Sequence, residues 1–540
     1  MVGAVDPLRW ATVQVMRALA RTAVAVVLLT LVGGCAAKPA EPAPPPTAQT
    51  RSDVPPPLMP AMPLPDNAVD DAVAKLDGIV NDLMKKSGMP GMAVGVVHGG
   101  KTVYAKGFGV KDVRSGEMID PDTVFQLASL SKPLSATVVA NQVGQNAIGW
   151  DTPIVSKLPW FALSDPAVTP MVSVGDMFSH RSGLPDHAGD MLEDLGYDRR
   201  HVLEQLRQLP LDPFRISYAY TNFGLTAGAE AVAVSAGKSW EDLADEVLLR
   251  PLGMASTSYR FADYEARQDR AVGHIHVDGR YEPLYVRDAD PEAPAGGASS
   301  TVNDMTRWLT MVLANGSHEG KQVVDSKALL PAVTPQIVSS PASEPAMRSG
   351  FYGYGFNVGS TSAARMELSH SGVFELGAGT NFVILPSADV AIVALTNATP
   401  SGVPEALTAE FADLVQFGEV REDWYKLYGD VFNQMEQPTG SLVGQKPPAN
   451  PAPAAPLASY VGTYHNDYWG PARITEKDGK LQLALGAKLD VPLEHWDGNV
   501  FTYSWVSENS PPGTISKATF EGNKLTLEYY DTLKKGTFTK

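Results

Sequence analysis

Apolar residues recur at helical spacing at Val69, Val73, Leu76, Val80, Leu83 and Met84, and Gly88 ends the run. The spacing predicts a first helix from near Asp66 to Gly88. Two strand-like runs, 93–97 and 102–110, follow across His98-Gly99-Gly100-Lys101, a hairpin signal. Helical spacing resumes at Leu134, Val138 and Val139. From Asp151 to about Asp304 the texture is helical and rich in loops, and another helix is predicted over 302–314. Strands return from Gly353, at 355–359, 382–385 and 391–395, with Pro386-Ser387-Ala388-Asp389 turning between the last two. Residues 404–417 form an amphipathic pattern expected to pack beside the first helix. The expected fold class is α+β, with one sheet built from both ends of residues 66–417. Helices flank it, a helical lobe is inserted between its halves, and a cleft forms where lobe meets sheet.

Residues 418–456 read as a connection ending in the Pro/Ala run 447–456. Beyond it, in 457–540, short alternating strands are separated by Asp478-Gly479, Asp497-Gly498 and Gly522-Asn523. Tyr460, Tyr464, Trp469, Phe501, Phe520 and Phe538 punctuate them. This predicts a small all-β sandwich or barrel with an aromatic core.

The other end carries an address. Arg17 and Arg21 precede an apolar run, 23–32, and then Val32-Gly33-Gly34-Cys35. The run is shorter than the ~20 apolar residues a membrane span needs. Residues 1–35 therefore read as a lipoprotein-type signal with Cys35 as the acylated residue; the alternative is an ordinary secretory signal with a stray thiol. Cys35 is the only cysteine, which excludes an intrachain disulfide framework. Residues 36–65 are Pro- and Ala-rich and read as an extended tether. The expectation is an exported chain of the cell envelope, on the periplasmic side of a bacterial membrane and held there by lipid. The start, Met1 or Met16, stays open. The net charge of −17 over 540 residues argues against nucleic acid as a partner.

The candidate chemistry lies at the head of the helix that contains Leu134. Ser129 and Lys132 form an S-x-x-K pair, three residues apart and so on one helix face. A helix N-terminus favours an oxyanion beside Ser129, and an amine of lowered pKa can take the serine proton. A second pair, Ser235 and Lys238, shows how weak the motif is alone. Order separates the two. After Ser129 come Tyr220-Thr221-Asn222 and then His370-Ser371-Gly372, whereas after Ser235 the only Y-x-N is Tyr464-His465-Asn466, with no H-x-G beyond it.

In this ordered set the chain resembles the penicillin-recognising serine hydrolases: class C β-lactamases, D-alanyl-D-alanine peptidases and related esterases. Residues 104–109, 123–132, 177–185 and 296–309 add to the likeness, which covers roughly 66–417. The C-terminal part looks like the lipocalin-like barrel of some D-amino-acid-specific members. The resemblance implies that Ser129 is acylated by a small-molecule or peptide substrate, with no cofactor and no metal. Lys132 and Tyr220 would move protons, and Asn222 would hold Lys132 and the substrate amide. The N–H groups of Ser129 and Val373 would form the oxyanion hole. Gly372 would let substrate lie against its strand. His370 stands where lactamases usually carry lysine. As an imidazole partly charged at neutral pH it would favour esters, amides or D-amino-acid peptides as much as carboxylate-bearing β-lactams.

Other motifs are assigned structural roles. His274 and His276 alternate as strand neighbours with no third ligand placed by spacing, and His180-Arg181-Ser182-Gly183 reads as a structural loop. The competing function is a non-catalytic, or slowly turning over, penicillin-binding module that recognises peptidoglycan peptides.

Overall fold

The computed structural model describes residues 62–540. The signal segment, Cys35 and nearly all of the tether lie outside the described residues. Helix α1 (Ala68–Ser87) has Asp70 and Asp71 in its first turn and Lys85 and Lys86 in its last, charges that suit the helix dipole. Gly88, at φ 68°, closes it in the left-handed conformation. Strands β1 (Gly91–His98) and β2 (Lys101–Gly109) form the expected hairpin. Helix α2 (Ser131–Gly144) follows, and the lobe includes α3 (Asn222–Ala236) and a short turn of helix, α4 (Ala293–Gly296). Helix α5 (Val302–Leu313) is capped by the Thr301 side chain, which accepts from the Asp304 N–H.

The sheet is completed by β3 (Ile337–Ser340), β4 (Gly350–Tyr352), β5 (Asn357–Ser360), β6 (Met366–Phe374), β7 (Ala378–Leu385) and β8 (Val390–Thr396). Its order is β2-β1-β8-β7-β6-β5-β4-β3, and every pairing is antiparallel. The two ends of the region thus meet at β1–β8. Side-chain alternation splits β1 between two cores. Met92, Val94 and Val96 pack with Leu76 and Val80 of α1 and with Leu407 and Phe411 of α6 (Val403–Phe417). Ala93 and Val97 face the lobe with Met305, Trp308 and Leu309 of α5.

Three features escape the hydrophobic pattern. Strands β3 and β4 are short and partly exposed, so their alternation is weak. Strand β6 alternates strictly, but two of its four inward positions are His370 and Gly372. Finally, the 418–456 connection contains a helix, α7 (Trp424–Met435), lying outside α6 with only Phe432 fully buried. Its Trp424 indole donates to Asp413 at 2.7 Å.

The C-terminal region is an eight-stranded antiparallel sheet in sequence order, running from the strand Gly462–Tyr464 to the strand Thr537–Thr539. His465 and Thr539 exchange main-chain hydrogen bonds of 2.7 and 3.0 Å, so the first and last strands meet and the sheet is nearly a closed barrel. Tyr464, Phe501, Phe520 and Phe538 fill it. The likeness to a lipocalin is loose.

The barrel is keyed into the lobe through the segment between its strands Val500–Tyr503 and Ser516–Glu521. Asp194 accepts from the Ser507 hydroxyl (2.7 Å) and from the Asn509 side chain (2.9 Å). Glu508 accepts from the Glu375 N–H at 3.0 Å and lies 3.6 Å from the Arg287 guanidinium. Arg287 is buried and also meets Glu193 (2.7 Å) and Glu292 (3.0 Å). One cation therefore serves three carboxylates, two buried in the lobe and a partly buried one that the barrel supplies. Removing a partner from such a cluster typically costs ~3–5 kcal/mol, because uncompensated charge stays buried. Arg287→Ala is expected to lower the chemical denaturation midpoint accordingly; a midpoint equal to that of the parent would refute this role.

Candidate active site

Ser129 sits on a single 3-10 turn (Ala128–Leu130) just ahead of α2, rather than inside the helix itself. Ala128 has φ 47°, a left-handed conformation that costs an L-residue ~1–2 kcal/mol. The surroundings hold it there. The Ser131 hydroxyl donates to the Ala128 carbonyl (2.7 Å) and accepts from the Ala298 N–H (2.9 Å). Leu127 donates its N–H to the Ala298 carbonyl at 2.8 Å, and Thr380 donates its hydroxyl to the Leu127 carbonyl at 2.8 Å.

Lys132 is fully buried one turn along. Its Nζ lies 3.0 Å from Ser129 Oγ, 2.6 Å from Asn222 Oδ1 and 3.0 Å from the Ala295 carbonyl. Burial pushes the amine down to about 8, against the opposing pull of Glu292 and Asp190. A neutral amine has two N–H groups and one lone pair. Asn222 and Ala295 take the N–H groups, which leaves the lone pair for the serine proton.

Tyr220, from the segment before α3, brings its hydroxyl to 2.8 Å from Ser129 Oγ. Burial drives its phenol well above the ordinary range, so it stays protonated. The lysine also lies over the Tyr220 ring, 4.6 Å from its centroid. Asn222 opens α3, with its Nδ2 on Asp190 Oδ2 at 2.9 Å.

The strand carrying His370, Gly372 and Val373 is internal to the sheet, not its last strand. Residues 366–369 pair with β5, but on that side residues 370–374 run past it and face the Ser129 turn. Gly372 answers a packing constraint. A Cβ there would stand 2.3 Å from the Leu127 carbonyl oxygen and 2.2 Å from Thr380 Oγ1. The missing side chain makes room for the Ser129 turn. Val373 follows, half-buried.

The expected charge of His370 is corrected. Burial, with the Lys132 charge beside it, lowers the imidazole to about 3, so it is neutral at physiological pH. Its Nδ1 meets the Ser371 carbonyl (2.7 Å), which only accepts, so Nδ1 carries the proton; Nε2 then accepts from the Tyr352 hydroxyl at 2.8 Å. His180, in the expected structural loop, accepts from the Thr221 N–H through Nδ1 (3.1 Å) and packs against Tyr220 and Tyr352.

The decoys separate in space. Lys238 is paired with Glu246 and the Ser235 hydroxyl donates to the Ala147 carbonyl. Tyr464 is barrel core. His274 is satisfied by the Asn397 carbonyl and the Val113 N–H. Asp190, Tyr352, Glu292 and Thr380 join the site without any motif in the sequence to announce them. The Ala295 carbonyl directly precedes the 296–309 stretch that carries part of the family likeness.

The family profile described as Beta-lactamase matches residues 76–417. A domain of unknown function, DUF3471, matches residues 446–528. The unguisins hydrolase ungD' of Aspergillus campestris (strain IBT 28561) is 28% identical over 410 residues, 73% of this chain and 75% of its own. Esterase EstB of Burkholderia gladioli is 24% identical over 63% of this chain and 94% of its own. The octameric penicillin-binding protein homologue from Pyrococcus abyssi superposes with a TM-score of 0.57 at 19% identity, covering 87% of this chain and 100% of that one. At that identity the likeness is one of fold. The profile match takes in well over half of the sequence, including Ser129, Lys132, Tyr220, Asn222 and His370, and on that match the chain belongs to the beta-lactamase family of hydrolases.

Proposed function

We propose that this hydrolase is a serine enzyme acting through an acyl-enzyme on esters or amides, D-amino-acid peptides among them. The observation that carries the reading is the convergence of Lys132 Nζ and the Tyr220 hydroxyl on Ser129 Oγ, at 3.0 and 2.8 Å. Lys132, neutral, takes the Ser129 proton as Oγ attacks the substrate carbonyl carbon. The N–H groups of Ser129 and Val373 receive the oxyanion; in sites of this kind one such donor is worth ~3–4 kcal/mol. As the acyl carbon loses its alkoxide or amine, the Lys132–Tyr220 pair returns the proton to the leaving group. Water then attacks the acyl carbon and gives a proton to the same pair; as the acyl C–Oγ bond breaks, the pair passes that proton to Ser129 Oγ, which restores the hydroxyl and the neutral amine. Asn222 holds Lys132 and receives the substrate amide.

Substrate charge follows from His370. A neutral, hydrogen-bonded imidazole offers no fixed cation to a carboxylate. Arg287, the buried cation beside Glu292, is already matched by carboxylates. Uncharged acyl groups therefore suit the site better than carboxylate-bearing β-lactams. A named esterase among the relatives supports esters as one substrate class. The proposal also keeps the chain exported and acylated at Cys35, with residues 36–65 as tether. The N-terminal peptide of the mature protein is expected to carry a lipid-modified Cys35, and an unmodified thiol found there by mass spectrometry would refute the anchor.

Incubation with a fluorophosphonate is expected to leave one adduct, on Ser129, formed faster than any adduct with a penicillin. Ser129→Ala should take no label and lose hydrolysis of p-nitrophenyl butyrate by at least ~10³-fold. Equal turnover by both proteins, or a label on another residue, would sink the assignment. The base must be unprotonated, so kcat/KM should rise with pH and level off above an inflection near 8. The Tyr220 phenol contributes no descending limb below pH ~10. An activity flat from pH 6 to 9 would place the base elsewhere.

A further inference from the structure

Asn222 can present either side of its amide to Lys132, and only one serves a base. With Oδ1 toward the amine, Lys132 donates to it and keeps its lone pair for Ser129. Turned over, the amide would offer an N–H to that lone pair and compete with the serine hydroxyl. Nothing in Asn222 itself decides between the two.

Asp190 supplies the decision. It starts a short helix (Asp190–Asp194) after Gly189, which has φ 96°, and its side chain is buried. One of its oxygens, Oδ2, takes two donors: Asn222 Nδ2 at 2.9 Å and His187 Nδ1 at 2.8 Å. The other oxygen, Oδ1, is buried without a hydrogen-bond partner. A carboxylate accepts and cannot donate, so it tolerates only the amine side of the Asn222 amide. His187 is anchored at its other end as well, since its main-chain N–H donates to the Tyr220 carbonyl at 2.8 Å. One loop therefore braces both partners of Ser129, holding Tyr220 through its backbone and Lys132 through Asp190 and Asn222.

We propose that Asp190 is a positioning residue of this reaction, which fixes the orientation of the Asn222 amide and so keeps the Lys132 lone pair on Ser129, with His187 as its brace. The proposal rests on the serine-hydrolase reading of Ser129, Lys132 and Tyr220. Asp190 also acts through its charge. The titratable groups that face it are His187, Lys132, Glu193, Glu292, Tyr220 and Tyr468. Its field raises the Lys132 pKa, so loss of the charge lowers it. His187, raised to about 9 against burial by Asp190 and Asp186, is cationic at neutral pH.

The test is Asp190→Asn in the full chain, read with p-nitrophenyl butyrate and by the rate of fluorophosphonate labelling. The expected result is a kcat lower by about 10–100-fold, the usual range for residues that orient a reacting group, with KM within about threefold. Labelling should slow in parallel. The ascending pH limb should move to lower pH, which a loss of stability alone would not produce. His187→Ala keeps the main-chain bond to Tyr220 and should give a smaller loss of the same kind. In an Asn222→Ala background, Asp190→Asn should lower kcat no further, since there is no amide left to orient. Parental kcat and pH limb in Asp190→Asn, or losses that simply add in the double variant, would overturn the proposal. If the parent chain labels on Ser129 while Asp190→Asn matches it, only this proposal fails; if the parent takes no label, the underlying reading fails first.

Discussion

A buried amine within hydrogen-bond reach of a serine hydroxyl is the constraint around which this structure is built. An ammonium taken from water and left unpaired is strongly disfavoured, so burial lowers the Lys132 pKa to about 8 and brings the neutral amine within reach. Its surroundings contain acceptors for the N–H groups, Asn222 and Ala295, and one neighbour with a proton to yield, Ser129. Glu292 and Asp190 keep the amine from becoming too weak a base. The same burial that lowers the lysine raises the Tyr220 phenol, so two groups that differ little in their reference pKa are driven apart.

Each component comes from a different part of the chain, and the junctions between parts are where the backbone is most constrained. The Ser129 turn is clamped between Ala298 of the lobe and Thr380 of the sheet. Gly372 lets the strand approach that turn to a distance no side chain would permit. The strained Ala128 persists because bonds on both sides over-determine it. Rigidity at Ser129 is thus a product of lobe and sheet together.

The barrel belongs to the same construction. Glu508 reaches Arg287, Arg287 holds Glu292, and Glu292 precedes the turn of helix whose Ala295 carbonyl receives the lysine. On the opposite wall, His370 donates from Nδ1 and accepts at Nε2, which leaves it polar but uncharged. That wall therefore offers no fixed cation to a substrate carboxylate, which is the basis for expecting acyl groups without one.

Local sequence determined a good deal. The periodicity of Val69 to Met84, the Gly99-Gly100 turn and the alternating barrel strands mark elements whose formation depends on neighbours in the chain. The order Ser129, Lys132, Tyr220, Asn222, His370 was legible too, because spacing and sequence of motifs survive without coordinates. Strand β6 was obscured since its inward positions include His370 and Gly372, and α7 because it buries so little. Contact over long separations was decided only in three dimensions. Asp190 lies 32 residues from Asn222, and Thr380 lies 253 from Leu127. No local pattern selects such partners. The protonation states of Lys132 and His370 likewise depend on how completely the folded chain removes water from them, which is a property of packing and not of any residue read alone.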